Sequence, residues 1–284
     1  MRFHPAAMLA LAVLVHGLGN GQTSDSSLAS PVRLVILGGA TAATVVAVHL
    51  YQQQAWWQGP RAPFRFENDW DYALNIDKFG HAFGAYFLSH IFSYALRWGG
   101  LRDSAAVFYG ALFGLGYQLY VEVEDGFHRN YGFSPGDAIA DVAGAMLPLA
   151  QMSIPVLSNF SLKWSYFPSS EYQDALRQGA SRVFIDDYQG QIYWLAVDPH
   201  FMMSAGVSRV VPSWLGFAFG LSARDLDNPV QRRLIPYLSL DYNLAKIGSE
   251  GGFLHSMFLL IDHIHLPAPA VYYDRGQWKA GIVY

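Results

Sequence analysis

Polar and apolar residues are segregated along this chain, with long apolar runs in the first half and short alternating stretches in the second. Four runs stand out: Val32 to Tyr51, Phe79 to Trp98, Ser104 to Val121 and Ala138 to Leu157. Arg33 lies at the edge of the first, Arg97 near the end of the second, the third is uncharged, and Asp141 sits near the start of the fourth. Stretches of about 18 or more apolar residues have the length that a bilayer-crossing helix needs. The runs therefore read as membrane-associated helices. Gly80 with Gly84, and Gly110 with Gly114, repeat at the four-residue spacing that lets helix backbones approach closely. Trp56, Trp57, Trp98 and Tyr120 lie at run ends, as in an interfacial aromatic belt.

Beyond Leu157 the period shortens. Residues 159–179 are mixed and aromatic, and read as a loop with one short helix near Ser170 to Gln178. Arg182 to Val197 reads as a hairpin turning at Tyr188-Gln189-Gly190. Leu234, Pro236, Leu238, Leu240, Tyr242 and Leu244 take one face of an alternating stretch, with Ser239, Asp241 and Asn243 on the other. Tyr272 to Tyr284 reads as a final hairpin around Asp274-Arg275-Gly276. These patterns predict a mainly α fold: a membrane-associated bundle of three to four apolar helices over 22–157, then a smaller mixed α/β region with short antiparallel strands over 158–284.

The N-terminus predicts export. Arg2 and His4 precede an apolar core from Ala6 to Val15, and Gly19-Asn20-Gly21 offers small residues for cleavage, so residues 1–21 read as a signal peptide. Gln22 to Ser30 is a polar linker.

Composition narrows the class. The 284 residues are 52% hydrophobic and 14% charged, against about 25% charged in soluble proteins. Such a chain is neither disordered nor an ordinary cytosolic enzyme. The net charge of −4 and the absence of a basic run argue against a nucleic-acid partner. With no cysteine, disulfides, thiolate chemistry and acylation of an N-terminal cysteine are excluded for this sequence.

The candidate chemistry lies where the apolar runs begin and end. Asp77, Lys78 and His81 open the second run, Glu122, Glu124 and Asp125 close the third, and Asp137 and Asp141 open the fourth. Antiparallel packing of successive helices brings these three groups to one end. Asp77 and His81, like Asp137 and Asp141, are four residues apart and share a helix face; Glu122 and Asp125, three apart, do likewise. Ser134 and Pro135 suit the N-cap and first position of a helix, which gives Asp137 a place in its first turn. Asp141, a turn deeper among Ile139, Ala140, Val142 and Ala143, has no such role and is the stronger functional candidate.

Three chemistries fit. A divalent cation is one, held by His81 with Glu122, Asp125, Asp137 or Asp141. Acid–base or nucleophilic catalysis is another, with Asp77 holding His81 and with Lys78 or Arg129 neutralising developing charge. The third is a structural ion network that locks the helices. No hydrolase elbow, phosphate loop or paired-histidine zinc motif is present. His90 reads as a core residue, and His255, His263 and His265 around Asp262 read as a solvated loop.

The same residues carry a resemblance. Asp77-Lys78-Phe79-Gly80-His81-Ala82, Tyr86-Phe87-Leu88-Ser89, Glu122 to Gly126, and Gly132-Phe133-Ser134 through Asp137 resemble the YfiM-like family of uncharacterised Gram-negative envelope proteins. The likeness covers roughly 45–150. More distantly the pattern is similar to VanZ-like membrane proteins, which have an Asn where this chain has Asp141. The resemblance implies an exported or membrane-associated protein and supplies no reaction.

The expectation is an envelope protein with its polar site facing the periplasm. Arg97 and Arg102, in the connection at the opposite end, would mark the cytoplasmic side of spanning helices, although a cleaved signal followed by a first span would reverse that orientation. The expected partner is a membrane lipid or lipid-linked amphiphile, bound by Asp77, Lys78, His81, Glu122, Asp125, Arg129, Asp137 and Asp141. A metal-dependent hydrolase or transferase on a lipid-linked substrate and a structural scaffold are the alternatives.

Overall fold

A computed structural model describes residues 29–180, 183–247 and 252–284. The expected signal peptide at 1–21 lies outside the described residues. Helix α1 (Pro31–Ala55) starts at Ser30, whose hydroxyl accepts from the Arg33 amide, with Pro31 at the first position. It is moored by the Ser30 amide on Gly99 O (2.9 Å) and the Arg33 guanidinium on Trp98 O (3.1 Å). Only Leu37 and Gln52 of this helix are buried.

An extended segment leads to a 3-10 turn, Tyr72–Asn75, in which Ala73, Leu74 and Asn75 all have positive φ. This left-handed turn launches α2 (Ile76–Trp98), which packs against α3 (Asp103–Gly126) and α4 (Pro135–Ser153). Small residues permit the contact. A Cβ on Gly114 would lie 2.8 Å from Ala85 O, and one on Gly144 only 2.0 Å from Ala82 O.

The second layer is a six-stranded antiparallel sheet in sequence order: β1 (Phe160–Tyr166), β2 (Gln191–Val197), β3 (Leu215–Arg224), β4 (Arg233–Tyr242), β5 (Ala268–Asp274) and β6 (Gln277–Val283). The other edge of β1 is also engaged: the Trp164 amide donates to His263 O and the His265 amide to Trp164 O. Three short helices, α5 (Ser170–Arg177), α6 (Ala205–Ser208) and α7 (Gly252–Ile261), lie in the connections.

The two faces of the sheet carry an inverted pattern. One face buries Ile192, Trp194, Ala196, Ala218, Ile235 and Tyr237 together with Lys163, Ser165, Ser222, Ser239 and Asp241. On the opposite face Trp164, Tyr193, Leu221 and Ala223 pack around Ile76 and Phe83 of α2. The rest of that face leaves Phe219, Leu238, Leu240, Val271 and Ile282 exposed.

The fold is thus two-layered α+β, which overturns the mainly α reading and its bundle of three to four apolar membrane helices. Among the described residues α1 alone is long and apolar enough to cross a membrane by length and composition. The other runs fall short because Gly, Ser, Tyr, His and Gln dilute them: Ser104 to Val121 alone holds three glycines, three tyrosines and Gln118. Trp57 is not part of an aromatic belt but is buried among His49, Tyr120, Asp125 and His128. The expected hairpin at 182–197 is also corrected. Phe184–Asp186 and Tyr188–Gly190 are 3-10 turns, and β2 pairs instead with β1, within the segment read as loop. His263 and His265 are buried rather than solvated.

Candidate functional site

The start of α2, the end of α3 and the start of α4 meet at one end of the helical layer. The 3-residue left-handed turn aims Asp77 and Lys78 inward at the first turn of α2, and Ser134 caps α4 by accepting from the Asp137 amide at 3.0 Å. Two linked groups of charged side chains result.

Lys78 centres the first. Its Nζ lies 2.7 Å from Asp69 Oδ2, 2.8 Å from Asp77 Oδ2 and 3.0 Å from Asp137 Oδ1. Burial opposes the charge on Lys78, but hydrogen bonds to Asp69, Asp77 and Asp137 outweigh it and raise its pKa. Burial raises the pKa of Asp77 against the pull of Lys78, and lifts Asp137 to about 6. Asp69 is less buried; its bonds from Lys78 and Ser134 prevail over desolvation and lower it.

His81 centres the second group. Its Nδ1 is 3.1 Å from Asp141 Oδ1 and 3.7 Å from Glu122 Oε1, and its Nε2 is 3.8 Å from Asp137 Oδ2. Burial disfavours the charged ring, yet the Asp141 hydrogen bond and the fields of Asp137, Asp141 and Glu122 raise its pKa to about 9. Burial pushes Glu122 up to about 8, against the His81 charge and the Ser134 amide. Five carboxylates (Asp69, Asp77, Glu122, Asp137, Asp141) therefore share two cations, Lys78 and His81.

Six of the eight sequence candidates gather here: Asp77, Lys78, His81, Glu122, Asp137 and Asp141. Asp125 stands to one side, accepting from Trp57 Nε1 at 2.6 Å, with its pKa raised by burial to about 6. Arg129 is exposed and is not brought into the cluster; its backbone carbonyl accepts from Arg65 at 3.2 Å. The sequence reading missed Asp69 and Gln118. Gln118 Nε2 donates to Asp141 Oδ1 at 3.2 Å; it stands four residues before Glu122, the spacing that marked the other pairs. Asp69 had a weaker signal, the acidic stretch Glu67 to Asp71 outside any apolar run.

Aromatic side chains surround this end. Phe66 (69% exposed), Trp70 (52%) and Tyr72 (54%) face solvent, with Trp70 6.0 Å from Lys78 Nζ and Phe66 packed edge-on to Phe133.

An α+β protein with one exposed apolar helix and a buried acid–histidine–lysine cluster is the class that this geometry defines. A family profile described as "Predicted periplasmic lipoprotein (DUF2279)" matches residues 66–152. The matched stretch begins just before Asp69 and runs almost to the end of α4, so it contains every residue of the cluster and none of the sheet. The match supports an uncharacterised Gram-negative envelope family and places the protein in the cell envelope with a periplasmic aspect; it does not reach the YfiM-like or VanZ-like assignment. No curated protein and no solved structure matches the chain.

Proposed function

We propose that this envelope protein binds a lipid or lipid-linked amphiphile at the acid–histidine cluster. The observation that carries the reading is the exposed aromatic rim of Phe66, Trp70 and Tyr72 beside a set of charged groups that are nearly all buried. An amphiphile joins these two environments: its polar head meets the charges while its chains cover the rings. The excess of carboxylates sets the head chemistry. Bare phosphate is repelled, and since the exposed Arg129 is not paired with these carboxylates, a phosphate head needs a cation to bridge it. The YfiM-like resemblance accords with this reading and supplies no reaction.

Lipid that co-purifies with the detergent-solubilised chain, counted by mass spectrometry, tests it. Bound lipid falls at least tenfold in the F66A/W70A double variant, while the unfolding midpoint barely moves because both side chains are exposed. The apolar helix α1 is unchanged in that variant and so provides a constant background. Equal lipid in both proteins overturns the reading. The structural alternative draws on Lys78, which bridges three carboxylates. It expects K78M to unfold readily and the rim variant to lose nothing.

A further inference from the structure

We propose that His81, Glu122 and Asp141 bind a divalent transition-metal cation of the zinc or manganese type. The three residues come from three different helices, and one ligand atom of each lies within 4.8 Å of the other two. The histidine Nδ1 is 3.1 Å from Asp141 Oδ1 and 3.7 Å from Glu122 Oε1. Ligands about 2.1 Å from a tetrahedral metal stand roughly 3.4 Å apart, between those two separations.

Acidic clustering alone does not make a site; Asp141 supplies the independent observation. Its side chain is 0% exposed, and its Oδ2 has no hydrogen-bond partner. A buried carboxylate oxygen without a partner bears its desolvation cost uncompensated. A cation chelated by both Asp141 oxygens, Oδ1 beside His81 and Oδ2, provides the partner.

The neighbouring contacts orient the three ligands. The Ser134 amide donates to Glu122 Oε2 at 3.0 Å, which leaves Oε1 toward the histidine. Gln118 fixes Asp141 through Oδ1. Metal binding at Nδ1 displaces the proton that Nδ1 shares with Asp141 in the cation-free protein, and the ring keeps its other proton on Nε2, 3.8 Å from Asp137 Oδ2. One imidazole and two carboxylates, without thiolate, select zinc or manganese over copper(I), and the imidazole disfavours magnesium and calcium. The other acidic group, Asp69, Asp77 and Asp137, is already occupied by Lys78 Nζ and is not a second site.

The proposal deepens the amphiphile reading and rests on it only for the cation's role as a bridge to phosphate. Metal binding is measured without lipid, so the two fail separately. The chelator-stripped full chain in detergent is titrated calorimetrically with ZnCl2, MnCl2 and CoCl2, and the visible absorption of bound Co2+ reports its ligands. One equivalent binds to the wild type. H81A, E122Q and D141N each weaken binding at least tenfold, the lower bound seen when even a supporting partner of a ligand is lost. E124Q leaves it unchanged, since Glu124 pairs with Arg61 at 2.7 Å outside the cluster. The near-isosteric E122Q decides the matter if D141N fails to fold. The absence of wild-type binding for all three metals, or wild-type affinity in E122Q, overturns the proposal.

Discussion

Both layers bury a lysine among aspartates, and they do so in different ways. In the sheet, Lys163 (1% exposed) lies 2.9 Å from Asp241 Oδ2 and 3.0 Å from Asp262 Oδ1, and donates to Tyr242 O at 3.0 Å. One ammonium thus meets two carboxylates and a carbonyl, and all three of its protons are used. At the helix ends, two cations meet five carboxylates. Both groups hold more carboxylates than cations, by one in the sheet and by three at the helix ends, and each leaves a buried carboxylate oxygen without a hydrogen-bond partner, Asp241 Oδ1 and Asp141 Oδ2. What sets the helical group apart is the size of its charge excess and the histidine within it, not the burial of charge as such.

The largest test removes Lys163. K163M leaves Asp241 buried without its cation and costs about 3–5 kcal/mol, read by denaturant unfolding, while cation affinity at His81 stays as in wild type. A change in that affinity would show the two ion groups to be coupled.

One histidine in each layer, His81 and His265, titrates in the opposite direction to the other. In the cation-free protein His81 is raised from 6.5 to about 9 and Glu122 from 4.5 to about 8. A raised group stabilises fully below its unfolded pKa and loses that contribution as pH climbs to the folded one. Glu122 thus loses its share between pH 4.5 and 8, and His81 between 6.5 and 9. His265, stacked 3.9 Å from the Trp194 ring, is pushed by burial from 6.5 down to about 4. Its stabilisation is complete above pH 6.5 and fades as pH falls toward 4. Thermal midpoints across pH 4–9 should therefore show an alkaline loss on the order of a few kcal/mol that H81A reduces, and an acid-side loss that H265Q reduces in part, since burial also lowers His90 and His263. A single slope surviving both variants contradicts the division.

Smaller effects compare glycines. G144A forces a Cβ onto Ala82 O and should cost about 1–3 kcal/mol. G116A meets nothing within 4 Å on the same layer and should gain about 0.5–1 kcal/mol from the helix preference for alanine. Equal effects in chemical denaturation would mean that the helices are not packed backbone to backbone.

Much of the site was legible because helical spacing is local. The pairs Asp77–His81 and Asp137–Asp141, and the cap Ser134-Pro135, are set within single turns, and antiparallel packing does the rest. Asp69 was not legible because it reaches Lys78 from an irregular segment with no period. The fold was misread for a related reason. Strand β3, Leu-Gly-Phe-Ala-Phe-Gly-Leu-Ser-Ala-Arg, does alternate, but small residues face inward and large apolar ones outward, the reverse of an ordinary half-buried strand. Lys163 in the middle of β1 disguised that strand as loop. With β1 read as loop and β3 unread, the second half passed for a smaller region of short strands and not for a six-stranded sheet.

The engagement of β1 by residues 263–265 carries a kinetic consequence. Every other pairing in the sheet joins strands that follow one another along the chain, so those ladders form by successive short closures. The seam between Trp164 and His263 instead spans about a hundred residues, and its loop-closure entropy is met only once the intervening strands are in place. Asp262 arrives with that seam. Until it closes, Lys163 remains short of one of its two carboxylates, so the zipping of the edge and the completion of the charge pairing are one late event in folding.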